Sequence, residues 1–264
     1  MISHSRIRAL LLQEWHLSKR SLEIIVDTAF FSVIDILVLG YVSMFLLGTS
    51  NGLAARYLIF GAIWWEVIRV TQYSMTMNSL WNIWARNLSN MFIAPLSLRE
   101  YFIAICVSAT MKSAVIAFGV LVPLAAWVFH FQLFSIGFAA VALTFINLIL
   151  FSWAIGILLL GLIFRFGVRV QAIAWAFIFI FQPLTAVFYP VSVLPPMLQH
   201  IALAIPLTHI FEAGRYVLQY GQMPLERYLM ATIFNIALFV FSLCVFRYLL
   251  RRAKDTGQFV RNES

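Results

Sequence analysis

Six apolar stretches, each about as long as a membrane crossing requires, restrict the possible folds of this chain more than any other feature. The predicted spans are residues 28–48, 57–77, 102–129, 135–164, 170–189 and 228–249. In lipid a spanning segment must satisfy its own backbone hydrogen bonds, which favours helices. The period-two alternation of barrel strands is absent. The sequence therefore predicts an all-α membrane protein with six transmembrane helices.

The composition agrees with this prediction. The chain is 63% hydrophobic and 11% charged, whereas soluble domains are nearer half apolar and a quarter charged. We expect one membrane domain over residues 1–264. Cys106 and Cys244 both fall in apolar runs, so a disulfide framework is not expected.

The basic residues predict the topology. The net charge is +8, but the cations lie at the ends of apolar runs, which favours contact with headgroups over nucleic acid. Three of them, Arg56, Arg215 and Arg227, fall on one predicted side. Thirteen fall on the other: Arg6, Arg8, Lys19, Arg20, Arg86, Arg99, Arg165, Arg169, Arg247, Arg251, Arg252, Lys254 and Arg261. Because positive residues stay inside, we expect both termini to be cytoplasmic.

Two segments on the basic side are amphipathic. Residues 5–24 place Ile7, Leu11, Trp15 and Leu22 on one helical face, which predicts a helix in the membrane interface. Residues 78–100 form a loop with a second helical pattern, which Pro95 ends. This loop is either another interfacial helix or a docking element for a partner protein. Its candidate contact residues are Trp81, Trp84, Arg86, Leu88, Phe92 and Pro95.

The segment before the last apolar stretch is broken by prolines. Gln182 and Pro183 interrupt the preceding span. The prolines that follow leave apolar pieces at 196–205 and 207–219, each too short to cross. We therefore predict a re-entrant helical hairpin over residues 190–220 on the outer side. Its candidate gate residues are Gln182, Pro183, Tyr189, Pro190, Pro195, Pro206, His209, Glu212 and Arg215.

These two irregular segments carry a family likeness. The inner loop ends in Pro95-Leu96-Ser97 followed by Glu100, and the outer segment contains Tyr189-Pro190, Leu194-Pro195 and Pro206-Leu207-Thr208 before Arg215. In this order and spacing they resemble the membrane (permease) subunits of type-two ABC exporters, which include polysaccharide, lipid and drug export permeases. Ile205 departs from the asparagine that many members have before the proline.

The resemblance implies a mechanism. The loop around residues 80–92 would be the coupling helix that docks on an ABC ATPase, present in two copies. The chain would pair with a second copy of itself or a homologous permease in a bacterial inner membrane. No G-x-x-x-x-G-K-[ST] motif occurs, so we expect no cofactor on this chain and ATP with magnesium on the partner. The chain would then be a transport subunit rather than an enzyme, and its substrate a lipid-linked glycan, lipid or amphiphile.

Charged residues inside the predicted spans need an explanation, because each costs at least ~2.5–3.5 kcal/mol at the bilayer centre. They are Asp35, Glu66, Arg69 and Lys112. Glu66 and Arg69 are one turn apart and can pair. Asp35 and Lys112 lie at similar depth, so an ion-pair cluster is favoured over a polar lining of the substrate path.

Two alternatives stay open at this stage. Within the same family the chain could be a drug or small-molecule efflux permease. In another class it could be a membrane-embedded lipid-modifying enzyme, for which His200, His209, Glu212 and Arg215 offer a thin polar cluster. A zinc site at His209 and Glu212 is disfavoured because Arg215 is a nearby cation and a third ligand is missing.

Overall fold

A computed structural model describes residues 3–48, 52–85 and 96–256, and every regular element within these ranges is helical. Short 3₁₀ turns at Leu133–Ile136, Gly167–Val170 and Val191–Val193 join some of the helices. The helices are α1 (His4–Arg20), α2 (Leu22–Gly48), α3 (Gly52–Trp84), α4 (Leu98–Val128), α5 (Phe138–Phe166), α6 (171–184), α7 (Pro196–Leu203), α8 (Pro206–Tyr220) and α9 (Leu225–Asp255).

Length and apolar composition identify four candidate spans among the described residues. They are Leu22–Gly48, Leu98–Val128, the helical run Phe138–Leu184, and Leu225–Asp255; the bent pair α7 and α8 would make a fifth. Length and apolar composition alone therefore do not identify all six predicted spans. Helix α3 is long enough, with 33 residues, but Arg56, Glu66 and Arg69 lower its apolar character.

The run Phe138–Leu184 does not continue in one direction. The rings of Phe151 and Phe181 are 5.2 Å apart, although thirty residues of straight helix would separate them by about 45 Å. The reversal falls at Gly167, whose φ of 65° lies in the left-handed region that glycine adopts without strain. Helix α6 then returns beside α3, where the Gln72 side chain donates a hydrogen bond of 2.9 Å to the carbonyl of Ala174.

Helix α3 is the centre of the fold. Between residues 59 and 80 only Arg69 and Tyr73 keep partial exposure. Trp64 and Trp65 are fully buried, so they pack inside the chain. By contrast, only 22% of the apolar window of α2, and likewise of α9, is buried. The peripheral helices therefore present the apolar surface that a bilayer would cover.

The predicted interfacial helix 5–24 is two elements rather than one. Helix α1 ends at Arg20, and Ser21 caps the next helix by accepting a hydrogen bond of 3.3 Å from the amide of Ile24. Leu22 consequently lies in α2. The residue that α1 buries is Glu14, while Trp15 on the predicted apolar face is 64% exposed. The face that packs against the protein is thus the one around Glu14.

The proline-broken segment forms the two helices that the sequence indicated. They meet at the predicted break, with Pro206 in the first turn of α8. Their axes differ by 98°, so the pair is a right-angled elbow rather than a closed hairpin. The inner face of α8 is tightly packed, because a Cβ on Gly214 would lie 2.1 Å from the ring of Phe60.

The contact of α3 with the loop that follows α6 gives a test of this packing. A Cβ on Gly61 would lie 2.6 Å from the carbonyl oxygen of Val187, and a backbone atom cannot move aside cheaply. We expect Gly61→Ala to lower the free energy of unfolding by about 1–3 kcal/mol. The readout is the temperature at which half of the detergent-solubilised protein stays monodisperse, which should fall by several degrees.

Gly119→Ala is the matched control, because the nearest side-chain atom to its added Cβ is 4.0 Å away. It should leave the midpoint unchanged or raise it slightly. Equal midpoints for the two variants would contradict the close approach of α3 to residue 187.

Candidate functional site

A buried carboxylate joins α1 to the two helices that flank the predicted coupling loop. Glu14 is 6% exposed. Its carboxylate lies 3.0 Å from the ammonium of Lys112 on α4 and accepts a hydrogen bond from the side-chain amide of Asn78 on α3. The Asn78 oxygen in turn accepts from the hydroxyl of Tyr101, at 3.3 Å. We call Glu14, Asn78, Tyr101 and Lys112 the inner polar cluster, where inner and outer refer to the two sides that the sequence predicts.

This cluster corrects the predicted partner of Lys112. The sequence suggested Asp35, but the ion pair is with Glu14, so the Asp35–Lys112 pairing is wrong. Sequence spacing could not find Glu14, since it lies in a different predicted element from Lys112. The available signal was an acidic residue in an otherwise basic amphipathic helix.

A second carboxylate secures the beginning of α1. Glu100 is fully buried and forms a capping box with Ser97 at the start of α4. Its other oxygen accepts a hydrogen bond of 2.7 Å from the amide of Ser3, and the Arg6 guanidinium lies 3.6 Å from the oxygen that bonds to Ser97. The Ser97 and Glu100 of the family-like element therefore cap α4 and also hold the start of α1.

The described part of the predicted coupling loop is mostly helix. Helix α3 continues without a break to Trp84, so residues 78–84 prolong the predicted second span, and residues 98–100 open α4. The rings of Trp81 and Trp84 meet edge to face at 5.3 Å, and Trp84 is 37% exposed. The other predicted contact residues lie outside the described residues: Arg86, Leu88, Phe92 and Pro95.

In the middle of α3, Glu66 and Arg69 form the predicted ion pair, with a guanidinium nitrogen 2.6 Å from a carboxylate oxygen. The hydroxyl of Ser32 on α2 donates a hydrogen bond to Glu66 and accepts one of 2.9 Å from Arg69. Arg69 also donates to the backbone carbonyl of Asp27, at 2.9 Å. The Asp35 side chain forms no hydrogen bond or salt bridge with another described residue, but it is near enough to Glu66 and Arg69 to interact electrostatically with both. The charges on α3 are thus satisfied within the chain, which supports a role in packing α2 against α3.

On the opposite end, Glu212 and Arg215 form the outer polar cluster. Their side chains are 2.8 Å apart, and Arg215 is 3% exposed. Glu212 also accepts a hydrogen bond of 2.9 Å from the amide of Val191, and Arg227 at the start of α9 lies 3.5 Å from it. One carboxylate therefore joins the loop after α6 to the elbow helix α8 and to α9.

The remaining gate candidates do not converge on one point. The hydroxyl of Tyr189 donates a hydrogen bond of 2.6 Å to the carbonyl of Pro183. His209 bonds to the carbonyl of Leu203 at 2.8 Å, and its ring lies edge-on to Phe234. Pro195 precedes the first turn of α7, and Gln182 lies in α6. Within the described ranges no three His, Cys, Asp or Glu side chains are grouped to hold a metal.

The two polar clusters and the elbow are arranged along a chain that matches a known family. A family model described as ABC-2 type transporter covers residues 5–218, from α1 into α8. The chain belongs to the ABC-2 type transporter family. A comparison with curated proteins finds no match. This ABC-2 protein is a transmembrane permease, and the family assignment makes it a transport protein.

The inner polar cluster of the ABC-2 permease gives a second test. Loss of either charge leaves a largely buried partner unpaired. Glu14→Gln and Lys112→Gln should therefore each lower the free energy of unfolding, measured by SDS titration in mixed micelles. The double variant should lose less free energy of unfolding than the two single variants added together, and the difference should be about 0.5–3 kcal/mol.

Glu226→Gln serves as the control, because Glu226 is exposed in the first turn of α9. It should change the free energy of unfolding by less than about 1 kcal/mol. Strictly additive effects of Glu14→Gln and Lys112→Gln would show that the two charges are not coupled.

Proposed function

We propose that this ABC-2 permease is the membrane subunit of an ATP-driven exporter. It forms the translocation path with a second copy of itself or a homologous permease, and two copies of a separate ATPase chain drive it. It lies in a bacterial inner membrane with both termini in the cytoplasm. The family match over residues 5–218 carries this proposal.

Six spans fit the observed helices. The reversal at Gly167 divides the run Phe138–Leu184 into two crossings, α5 and α6. Helix α3 supplies another crossing despite its charges, because its Glu66 and Arg69 side chains are bonded within the protein. With α2, α4 and α9 the count is six, and the elbow of α7 and α8 stays on the outer side. An even count agrees with termini on one side of the membrane.

Helix α3 supports a direct mechanical link between the two ends. Its outer end meets the elbow, where the hydroxyl of Tyr57 lies 3.3 Å from the side chain of Gln219. Trp84 lies 27 residues further along the same helix, which is about 40 Å at 1.5 Å per residue. A stroke delivered near Trp84 would reach the elbow through one unbroken helix.

The inner end of α3 is suited to receive that stroke. The inner polar cluster ties α3 to α1 and α4, so the three helices respond together. Trp84 extends beyond this cluster and stays partly exposed. Exposed aromatic residues are common anchors at protein interfaces. We therefore place the ATPase contact at Trp84 and the loop that follows it.

The transported molecule in this proposal is a lipid-linked glycan, a lipid or another amphiphile. Three aromatic side chains of α3 are engaged within the protein. The Tyr73 hydroxyl donates a hydrogen bond to Asp27, and Trp64 and Trp65 are fully buried within one chain. Three of the polar residues named for the lipid-modifying enzyme, His209, Glu212 and Arg215, are engaged in structural contacts. Glu212 and Arg215 bind each other, and His209 bonds to the backbone. The structure thus favours the transport subunit over the enzyme.

The ATPase contact can be tested by purification from the native host. Trp84→Glu should reduce the amount of ABC ATPase that co-purifies with the tagged permease by at least about tenfold. Such a loss corresponds to about 1.4 kcal/mol, within the range for a buried interface anchor. The measurement is quantitative mass spectrometry of the purified complex.

Met223→Glu is the matched control. Met223 is 38% exposed, close to the value for Trp84, but it lies after α8 at the other end of α3. It should leave the ATPase yield unchanged. If wild-type permease recovers no ABC ATPase, or if both variants recover as much as wild type, the proposed coupling is wrong.

A further inference from the structure

Helices α1, α2 and α4 line a groove of about 390 Å³ that is open at the surface of the protein. Its walls include Leu12 and Trp15 from α1, Ile25 from α2, and Met111 and Val115 from α4. These five side chains are 43% to 64% exposed. Its volume lies in the range of small-molecule sites. Its apolar walls suit a hydrocarbon chain better than a polar ligand.

In the described part of the chain, the wall of the groove contains one exposed cation, Arg8. Lys19 lies on the same helical face, but it is about 16 Å further along α1 and does not line the groove. Within the described ranges neither residue has a salt bridge. Lys112 also lines the groove, but its charge is balanced by Glu14, 3.0 Å away.

This arrangement combines the two features that an amphiphile of negative charge requires. The wall contributed by α4 extends over residues 108–116, about 12 Å of helix. Trp15, in the wall of the groove, lies two helical turns from Arg8, and tryptophan is common at the level of lipid headgroups. A basic amphipathic helix attracts anionic lipid through both burial and charge.

We propose that this groove binds one acyl chain of an anionic phospholipid from the surrounding leaflet, with the lipid phosphate against Arg8. The occupant comes from the bilayer because the groove opens among the exposed apolar residues of α2 and α4. Bound there, the lipid would fill the space between α1 and the spans, next to Lys112 of the inner polar cluster. The proposal is independent of the ATPase and of the transported molecule.

Native mass spectrometry tests the site with two phospholipids that share the same acyl chains. The purified chain is mixed with equal amounts of dioleoyl phosphatidylglycerol and dioleoyl phosphatidylcholine in detergent micelles. Wild type should retain phosphatidylglycerol about fivefold over phosphatidylcholine, the effect expected of one basic residue near the headgroup. Arg8→Gln should reduce this preference to about one.

Arg20→Gln is the charge control, because Arg20 lies on the same helix about 120° around from Arg8. Arg20→Gln should retain phosphatidylglycerol over phosphatidylcholine as strongly as wild type does. Val115→Trp fills the groove from an exposed position and should abolish retention of both lipids. Val240→Trp on α9 is its control, since Val240 is 53% exposed and lies away from the groove; retention should be unchanged. All variants are first checked for monodispersity.

Three results would overturn the proposal. Wild type could retain the two lipids equally, which would remove the role of charge. Val115→Trp could retain as much lipid as wild type, which would place the lipid elsewhere. Arg20→Gln could lose the preference as fully as Arg8→Gln, which would show diffuse attraction to the basic helix rather than a site.

Discussion

The burial of α3 by the other helices is the constraint on which the rest of this structure depends. A helix with Glu66 and Arg69 in its middle could not face lipid without a large cost in free energy. Here the two side chains bind each other and Ser32, so hydrogen bonds within the protein take the place of hydrogen bonds to water. Because α3 is enclosed, the more apolar helices α2 and α9 are left at the periphery, where lipid can cover them.

A carboxylate from another element lies at each end of the bundle, and one of the two bonds directly to α3. Glu14 on α1 bonds to α3 and α4 at the inner end. Glu212 on α8 bonds to α9 and to the loop after α6 at the outer end. Both carboxylates pair with a basic residue and also accept a backbone or amide hydrogen bond, so little of their bonding capacity is left unused. At the inner end the Glu14 carboxylate joins α1 to α3, and at the outer end α8 contacts α3 through the hydrogen bond between Tyr57 and Gln219.

The outer elbow illustrates how a local rule and tertiary packing combine. Pro206 begins α8 where proline is well tolerated, and the sequence alone located this break. The angle of 98° between the two helices depends instead on what α8 packs against. Gly214 allows the ring of Phe60 to approach, and Arg215 reaches the carbonyl of Val187 at 3.3 Å. Neither contact has a signature in the local sequence.

The sequence by itself determined the helical class, the apolar stretches, the proline break and the pairing of Glu66 with Arg69. These follow from local rules, since hydropathy, proline chemistry and i,i+3 spacing act within one segment. Only the tertiary structure decided that Lys112 pairs with Glu14 and that Trp64 and Trp65 are buried within the chain. Those outcomes depend on which helices become neighbours, and residues about a hundred positions apart carry no periodic signal of their contact.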